Sequence, residues 1–305
     1  MKVLVTGGAG YIGSTLVPLL LARGHSVTVL DTLEPGIAPL LACFRDRRFS
    51  LIRADIRDER AVRDAAAGVD AIAHLAAVSG VPACDRDPER AIEVNDRGAR
   101  IVASAAGRRP IVYASTGSCY GAVPGGRCDE TTEPRPASRY GATKLAGERH
   151  VLGMAAGVVL RFATAYGVSP RMRVDLLVNH FVRVLLARGE ISVYEPQARR
   201  TFIHVADAAR ALLLSLENAG QMAGEVYNAG SDEQNRTKGE VLGIIQARIP
   251  GSVVRVDPTG ADPDRRDYAV SYGKIRAAGF QTTVSLEEGV DELVRALRWW
   301  QEDSP

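Results

Sequence analysis

The sequence predicts an α/β protein with a doubly wound parallel sheet and a smaller α/β lobe after it. Three observations carry that prediction. Short apolar runs alternate with helically spaced segments through the first half of the chain, the pattern of strand–helix–strand crossovers. A glycine turn, Gly7-Gly8-Ala9-Gly10-Tyr11-Ile12-Gly13, joins the first apolar run to the first helical segment. Past residue 165 the alternation becomes irregular, which marks a change of architecture.

In chain order, residues 2–6 (Lys-Val-Leu-Val-Thr) read as a buried parallel strand, and 13–23 as a helix stopped by Gly24. Runs at 26–30, 49–53, 71–75, 110–115 and 158–162 continue the strand series. Helical spacing at 59–67, 88–106 and 140–156 supplies the crossovers, which are expected to be right-handed. The later part predicts helices at 175–187, 205–217, 238–248 and 286–301, strands at 191–194 and 225–228, and a Pro- and Asp-rich loop at 257–267. The expected division is 1–165 for a mononucleotide-fold domain and 166–305 for a lobe that interleaves with it.

Composition narrows the function classes. The 305 residues carry 46% hydrophobic and 24% charged side chains and a formal net charge of +2. That charge creates no global field toward nucleic acid or a membrane surface, so neither is an expected partner. Anion binding must come from local arginines, which cluster as Arg171 and Arg173, Arg199 and Arg200, and Arg265 and Arg266. The four cysteines, Cys43, Cys84, Cys119 and Cys128, have neither metal-ligand spacing nor a disulfide framework, which fits reduced thiols in a cytoplasmic protein. Residues 1–6 run directly into the glycine turn and are expected to be a strand rather than a signal peptide.

Gly7, Gly10 and Gly13 keep the GxxGxxG spacing between strand and helix. Such a turn lets the backbone approach a pyrophosphate seated at a helix N-terminus. Asp31 ends the second strand, where a carboxylate accepts from a ribose 2′-hydroxyl and repels a 2′-phosphate; this favours NAD over NADP. Asp55-Ile56 follows the third strand, within reach of an adenine, although an Asp there equally suits an Asx turn. Leu75-Ala76-Ala77 offers small residues for close passage of a cofactor.

Tyr140 and Lys144 stand four residues apart, on one face of a helix. A phenol titrates near ~10, so it needs an adjacent cation to act as a base at neutral pH. With a nicotinamide beside it, Tyr140 would take a hydroxyl proton while the carbon gives up hydride. Thr116, at the end of the 110–115 strand, is placed to steer the substrate oxygen. Dinucleotide seat and proton acceptor together describe oxidation at a carbon bearing a hydroxyl.

With these motifs the chain resembles the extended short-chain dehydrogenases/reductases, in the NAD-dependent nucleotide-sugar epimerase/dehydratase family. The likeness spans nearly the whole length: TGGAGYIG at 6–13, Asp31, Asp55-Ile56, HLAA at 74–77, Asn95, Thr116, YGATK at 140–144 and Leu160-Arg161-Phe162, then RTFIHVAD at 200–207 and YNAG at 227–230. It implies a Rossmann-type fold with NAD as cofactor and a nucleotide-diphosphate sugar as substrate. The catalytic residues would be Thr116, Tyr140 and Lys144. Gly7, Gly10, Tyr11, Ile12, Gly13, Asp31, Asp55, Ile56, Leu75, Ala76, Ala77, Asn95, Tyr140, Lys144 and Phe162 would bind the cofactor. Ser79, Val81, Thr116, Thr164, Arg171, Asn179, Tyr194, Arg200 and Arg266 would bind the substrate, with Arg200 and Arg266 on the diphosphate. No metal is implied. The stretch 167–179 resembles the branch with GDP-manno-heptose 4-dehydrogenases and related heptose- and hexose-modifying enzymes, which points to C4.

Departures from the family pattern also inform. The 4,6-dehydratases follow the catalytic Thr with Asp-Glu; here Gly117-Ser118 follow, and neither carries a carboxylate. Cys119 is one position from the acid/base Cys of the 3,5-epimerases and is expected to face away. UDP-galactose 4-epimerases carry Lys where Ser79 stands. The leading expectation is a 4-epimerase working through a 4-keto sugar. A 4-dehydrogenase or a 4-keto-sugar reductase uses the same half-reaction, and no residue separates them. The arginines disfavour a hydroxysteroid-type substrate, and retention of Thr, Tyr and Lys disfavours a redox-sensing binder. Apolar residues on more than one side of 88–106 and 140–156 predict a homodimer through a four-helix contact.

Overall fold

The computed structural model describes residues 1–34, 36–121, 123, 126–259 and 267–300. Seven strands form one parallel sheet in the order Glu225–Ala229, Gly157–Phe162, Ile111–Thr116, Ala71–His74, Lys2–Thr6, Ser26–Asp31, Phe49–Arg53. The first strand is central: Val5 pairs with Val29 on one side and Ala73 on the other. Strand order reverses beside it, at the switch point where open α/β sheets place ligands. Thr6, Asp31, His74, Thr116 and Phe162 all end strands along this one edge.

Both faces are covered. On one, Leu16, Val17 and Leu20 of helix Gly13–Ala22 belong to one apolar core with Ala208, Leu212 and Leu216 of helix Val205–Glu217. On the other, Val62, Val102, Tyr113 and Val151 pack with Leu4 and Ile72. A separate core around Tyr166, Phe181, Phe202, Val241 and Leu293 holds the later segments together. Strand Glu225–Ala229 and helix Val205–Glu217 return to the main sheet, so the later chain contributes to both layers.

The segment expected as one helix over 88–106 is divided. Pro88–Ile92 and Ala99–Ala106 are α-helical, and Glu93–Gly98 between them is a π-turn. Two contacts explain the widened turn. A Cβ on Gly98 would stand 2.6 Å from Ile56 Cδ1. The Asn95 amide is spent on the Val78 backbone, accepting from its N–H at 2.8 Å and donating to its C=O at 3.0 Å. The next predicted helix is shorter than expected, Arg139–Leu152, with Gly153 as its cap.

Strands Thr164–Tyr166, Arg199–His204 and Asn235–Thr237 form a three-stranded sheet that periodicity did not reveal. Two of them are only three residues long, and all pair with partners distant in sequence. Residues 260–266 of the expected loop, with Arg265 and Arg266, lie outside the described residues. Of the apolar residues on the two segments expected to form a dimer contact, Val94, Ile101, Val102 and Val151 are buried, and Leu152 and Met154 pack against the same core. Ile92 remains 47% exposed. No helix among the described residues is long and apolar enough to cross a membrane.

Candidate active site

A cleft of about 740 Å³ runs along the strand ends, from the glycine turn to the segment 171–177. Two glycines show why its floor must be bare. Gly7 has φ +75°, and a Cβ there would meet Ala76 N at 2.6 Å. At Gly13 a Cβ would meet the Gly7 carbonyl oxygen at 2.3 Å. The turn, the following helix and the end of the fourth strand are therefore in close backbone contact, the bare floor that a pyrophosphate at a helix N-terminus requires. Thr6 Oγ1 sits 2.7 Å from His74 Nδ1 beneath this floor.

Asp31 lines the cleft, and its oxygens accept from Ala9 N at 3.0 Å and Leu33 N at 2.8 Å. Each carboxylate oxygen keeps capacity for a further donor. Asp55 also faces the cleft, gripped by Arg57 at 2.7 and 3.0 Å, which holds its carboxyl below the usual carboxylate range. Across the mouth, Arg90 pairs with Glu34.

At the other end Tyr140 enters on the first turn of its helix, whose N-cap Ser138 accepts from Gly141 N at 3.2 Å. Burial pushes the Tyr140 phenol up, and the neighbouring hydroxyls of Ser79 and Thr116 oppose that shift. Lys144 is 2% exposed, with Nζ 4.0 Å from the centre of the Tyr113 ring. Burial pushes its ammonium down to about 8. Next on the same helix face is Glu148, which pairs with Arg161 rather than Lys144: Arg161 donates through Nε at 3.0 Å and Nη2 at 2.7 Å, and Ser115 Oγ at 2.5 Å. This buried network fixes the helix against the strand that carries Thr116 and leaves the Lys144 ammonium turned to the cleft.

The Thr116 hydroxyl donates to Ser118 Oγ at 3.2 Å, and both residues line the cleft. Cys119 does not. Its thiol points to Glu148 and the Gly141 carbonyl, and burial pushes it up to about 12.

Of the residues expected at the site, the cleft brings together Gly7, Gly10, Tyr11, Ile12, Gly13, Asp31, Asp55, Ile56, Leu75, Ala76, Ala77, Ser79, Val81, Thr116, Tyr140, Lys144, Phe162, Thr164, Arg171 and Arg200. Three stand apart. Asn95 lies behind Val78, as described above. Asn179 is buried one layer back, accepting from Gly167 N at 3.0 Å and donating to the Arg173 carbonyl at 2.9 Å and the Tyr11 hydroxyl at 3.2 Å. Tyr194 is 38% exposed just past strand Glu190–Val193, away from the cleft wall. Arg266 lies outside the described residues.

Arg173, expected only as one of the clustered arginines, and Asp175, which no motif marks, also line the cleft. The signal was present in part, because Arg173 shares a run with Arg171. Their pairing is bidentate, at 2.7 and 2.6 Å, and raises the arginine while lowering the aspartate.

Residues 3–230 match the NAD dependent epimerase/dehydratase family. The chain belongs to that family. It is 33% identical, across 99% of its own length and 95% of the relative, to a dTDP-glucose 4,6-dehydratase of Streptomyces niveus. It is 31% identical to a UDP-glucose 4-epimerase of Mycolicibacterium smegmatis, covering 98% of this chain and 99% of that one. The solved UDP-glucose 4-epimerase of Thermus thermophilus, a complex with NAD, superposes with a TM-score of 0.84 at 32% identity, covering 98% and 99% of the two chains. The cofactor of this family member is NAD. The bare floor at Gly7 and Gly13, the carboxylate of Asp31 and the cleft-facing ammonium of Lys144 fit it. No group of three or more His, Cys, Asp or Glu among the described residues could hold a metal ion.

Proposed function

We propose that this family member is a nucleotide-sugar 4-epimerase acting on an NDP-hexose or NDP-heptose. The observation that carries the reading is that Ser79, Thr116, Tyr140 and Lys144 line the same cleft, beside a Gly117-Ser118 stretch without a carboxylate. Bound NAD⁺ supplies the hydride acceptor and, once reduced, the donor. Tyr140 takes the C4 hydroxyl proton as the carbon is oxidised and returns it when the ketone is reduced from the other face. Lys144 keeps positive charge near the phenol, favouring phenolate. Thr116 and Ser79 orient the C4 oxygen. Arg171 and Arg200 take the diphosphate, for which guanidinium forks are suited.

Elimination of water from C6 needs an acid and a base beside the ketone. Gly117 and Ser118 supply neither, which supports epimerisation over dehydration. The test is incubation of the purified protein with a panel of UDP-, GDP-, ADP- and dTDP-sugars, followed by mass spectrometry and NMR. Mass-neutral inversion at C4 is the expected result. Loss of two hydrogens would replace the reading with a 4-dehydrogenase, and loss of water with a dehydratase.

The same reading includes a homodimer. Ile92 and the partly exposed Leu145 remain outside the core on the helices expected to pair. Light scattering at micromolar concentration should give twice the chain mass, and a monomer would remove this part of the proposal.

A further inference from the structure

Beyond the two arginines proposed for the diphosphate, the cleft carries a third. Arg171 and Arg200 line it, and Arg173 lies deeper, within electrostatic reach of Tyr140. Its guanidinium packs beside Gly80, where a Cβ would stand at ordinary contact distance, 3.7 Å from Nη2. The backbone beneath is fixed, because the buried Asn179 amide holds the Arg173 carbonyl and ties it to Tyr11 of the glycine turn. Arg173 thus rises from an anchored backbone on the cleft that Tyr140 also lines. Its fork is occupied, however. Asp175, whose side chain is 62% exposed against 25% for Arg173, takes Nε and Nη2 with its two oxygens.

An unpaired arginine at this position would select an acid. Uronate sugar nucleotides carry their acid at C6, the exocyclic carbon on C5, the ring neighbour of C4. A bidentate Arg–Asp pair instead offers no net charge, a carboxylate that accepts from hydroxyls, and repulsion toward a second carboxylate. We propose that Asp175 is a specificity-determining residue: by occupying the Arg173 fork it restricts the substrate to sugars with a neutral C6 group and excludes the uronates. This rests on the nucleotide-sugar reading above and deepens it. Asp175 acts by repulsion and by occupying the arginine, so its removal gains a ligand rather than only losing one.

The test compares calorimetric binding of matched pairs by the NAD-loaded protein: UDP-glucose with UDP-glucuronate, dTDP-glucose with dTDP-glucuronate, and GDP-mannose with GDP-mannuronate. Wild type is expected to prefer the neutral member. Asp175→Asn should shift the ratio of the two affinities toward the uronate by about 10- to 100-fold, the scale of one charge-assisted pair. Asp175→Ser should act likewise. Arg173→Ala combined with Asp175→Asn should lose the gain, because no fork remains to receive the acid. The proposal is overturned if wild type binds the uronate as tightly as the neutral sugar, if Asp175→Asn leaves the ratio unchanged, or if the double variant keeps the shift. Failure of every protein form to bind any of the six nucleotides would remove the nucleotide-sugar reading itself. A changed or unchanged ratio among sugars that do bind speaks to Asp175 alone.

Discussion

The two halves of the cleft are made of different material. The dinucleotide half is backbone and small side chains: Gly7, Gly10, Gly13, Ala76 and Ala77, with Asp31 and Asp55 as its carboxylates. The half assigned above to the sugar is long, charged side chains from distant segments: Arg171, Arg173 and Asp175 from one loop and Arg200 from a strand. Recognition by backbone demands fixed spacing, because only glycine tolerates the approach at Gly7 and Gly13. Recognition by side chains demands only that reach and charge be right, and many sequences satisfy that. The first half is therefore generic to a cofactor and the second particular to a substrate.

The seam between the halves carries the largest expected effect. Tyr140→Phe removes the proton acceptor and touches neither wall. Turnover should fall by ~10²–10⁴ with dinucleotide and sugar still bound, read as kcat against KM with the identified sugar. Near-normal activity would show that the seam is not where the chemistry occurs. Gly13→Val would break the dinucleotide half alone. Its side chain enters a space where even a Cβ stands 2.3 Å from a carbonyl oxygen. Relieving that overlap costs ~1–3 kcal/mol, so NAD affinity measured by calorimetry should drop by roughly 5- to 150-fold. Thr116→Val should cost about tenfold in kcat, the worth of one orienting hydrogen bond, with NAD affinity intact. A loss of NAD affinity would blur the division between the halves.

The smallest effect is on stability. Lys144 is held at about 8 in the folded protein without cofactor, below the ~10.4 of an unfolded lysine. Between those values the unfolded chain binds more protons, so this group makes the cofactor-free protein gain stability as pH rises from 8 toward 10.4, and its penalty is complete below 8. Lys144→Met should abolish that gain and melt no lower than wild type at pH 7. NAD affinity should meanwhile fall, because the variant loses the ammonium that faces the cleft. If thermal melts of wild type and Lys144→Met run parallel across that pH range, Lys144 is not the strained group described.

Much of the site was legible from the chain. The GxxGxxG turn, Asp31, Thr116 and the Tyr140/Lys144 pair each need particular residue types at particular spacings, and their places in the cleft follow from strand ends that alternation alone locates. Asn95 and Asn179 were legible as important but not in role. Each is a polar residue buried behind the wall, where it satisfies the backbone of Val78 or of Gly167 and Arg173. A motif marks such a residue without saying which side of the wall it occupies.

By itself the sequence determined the doubly wound sheet, the glycine turn at its switch point and the placing of Tyr140 and Lys144 on one helix, because helical and strand periods and glycine spacing are local properties of the chain. Tertiary structure alone decided the rest. It paired Glu148 with Arg161 and left Lys144 facing the cleft, divided the 88–106 helix with a π-turn, and closed the Arg173 fork with Asp175. Those outcomes depend on which distant groups burial brings within hydrogen-bond reach, and no local pattern encodes that competition.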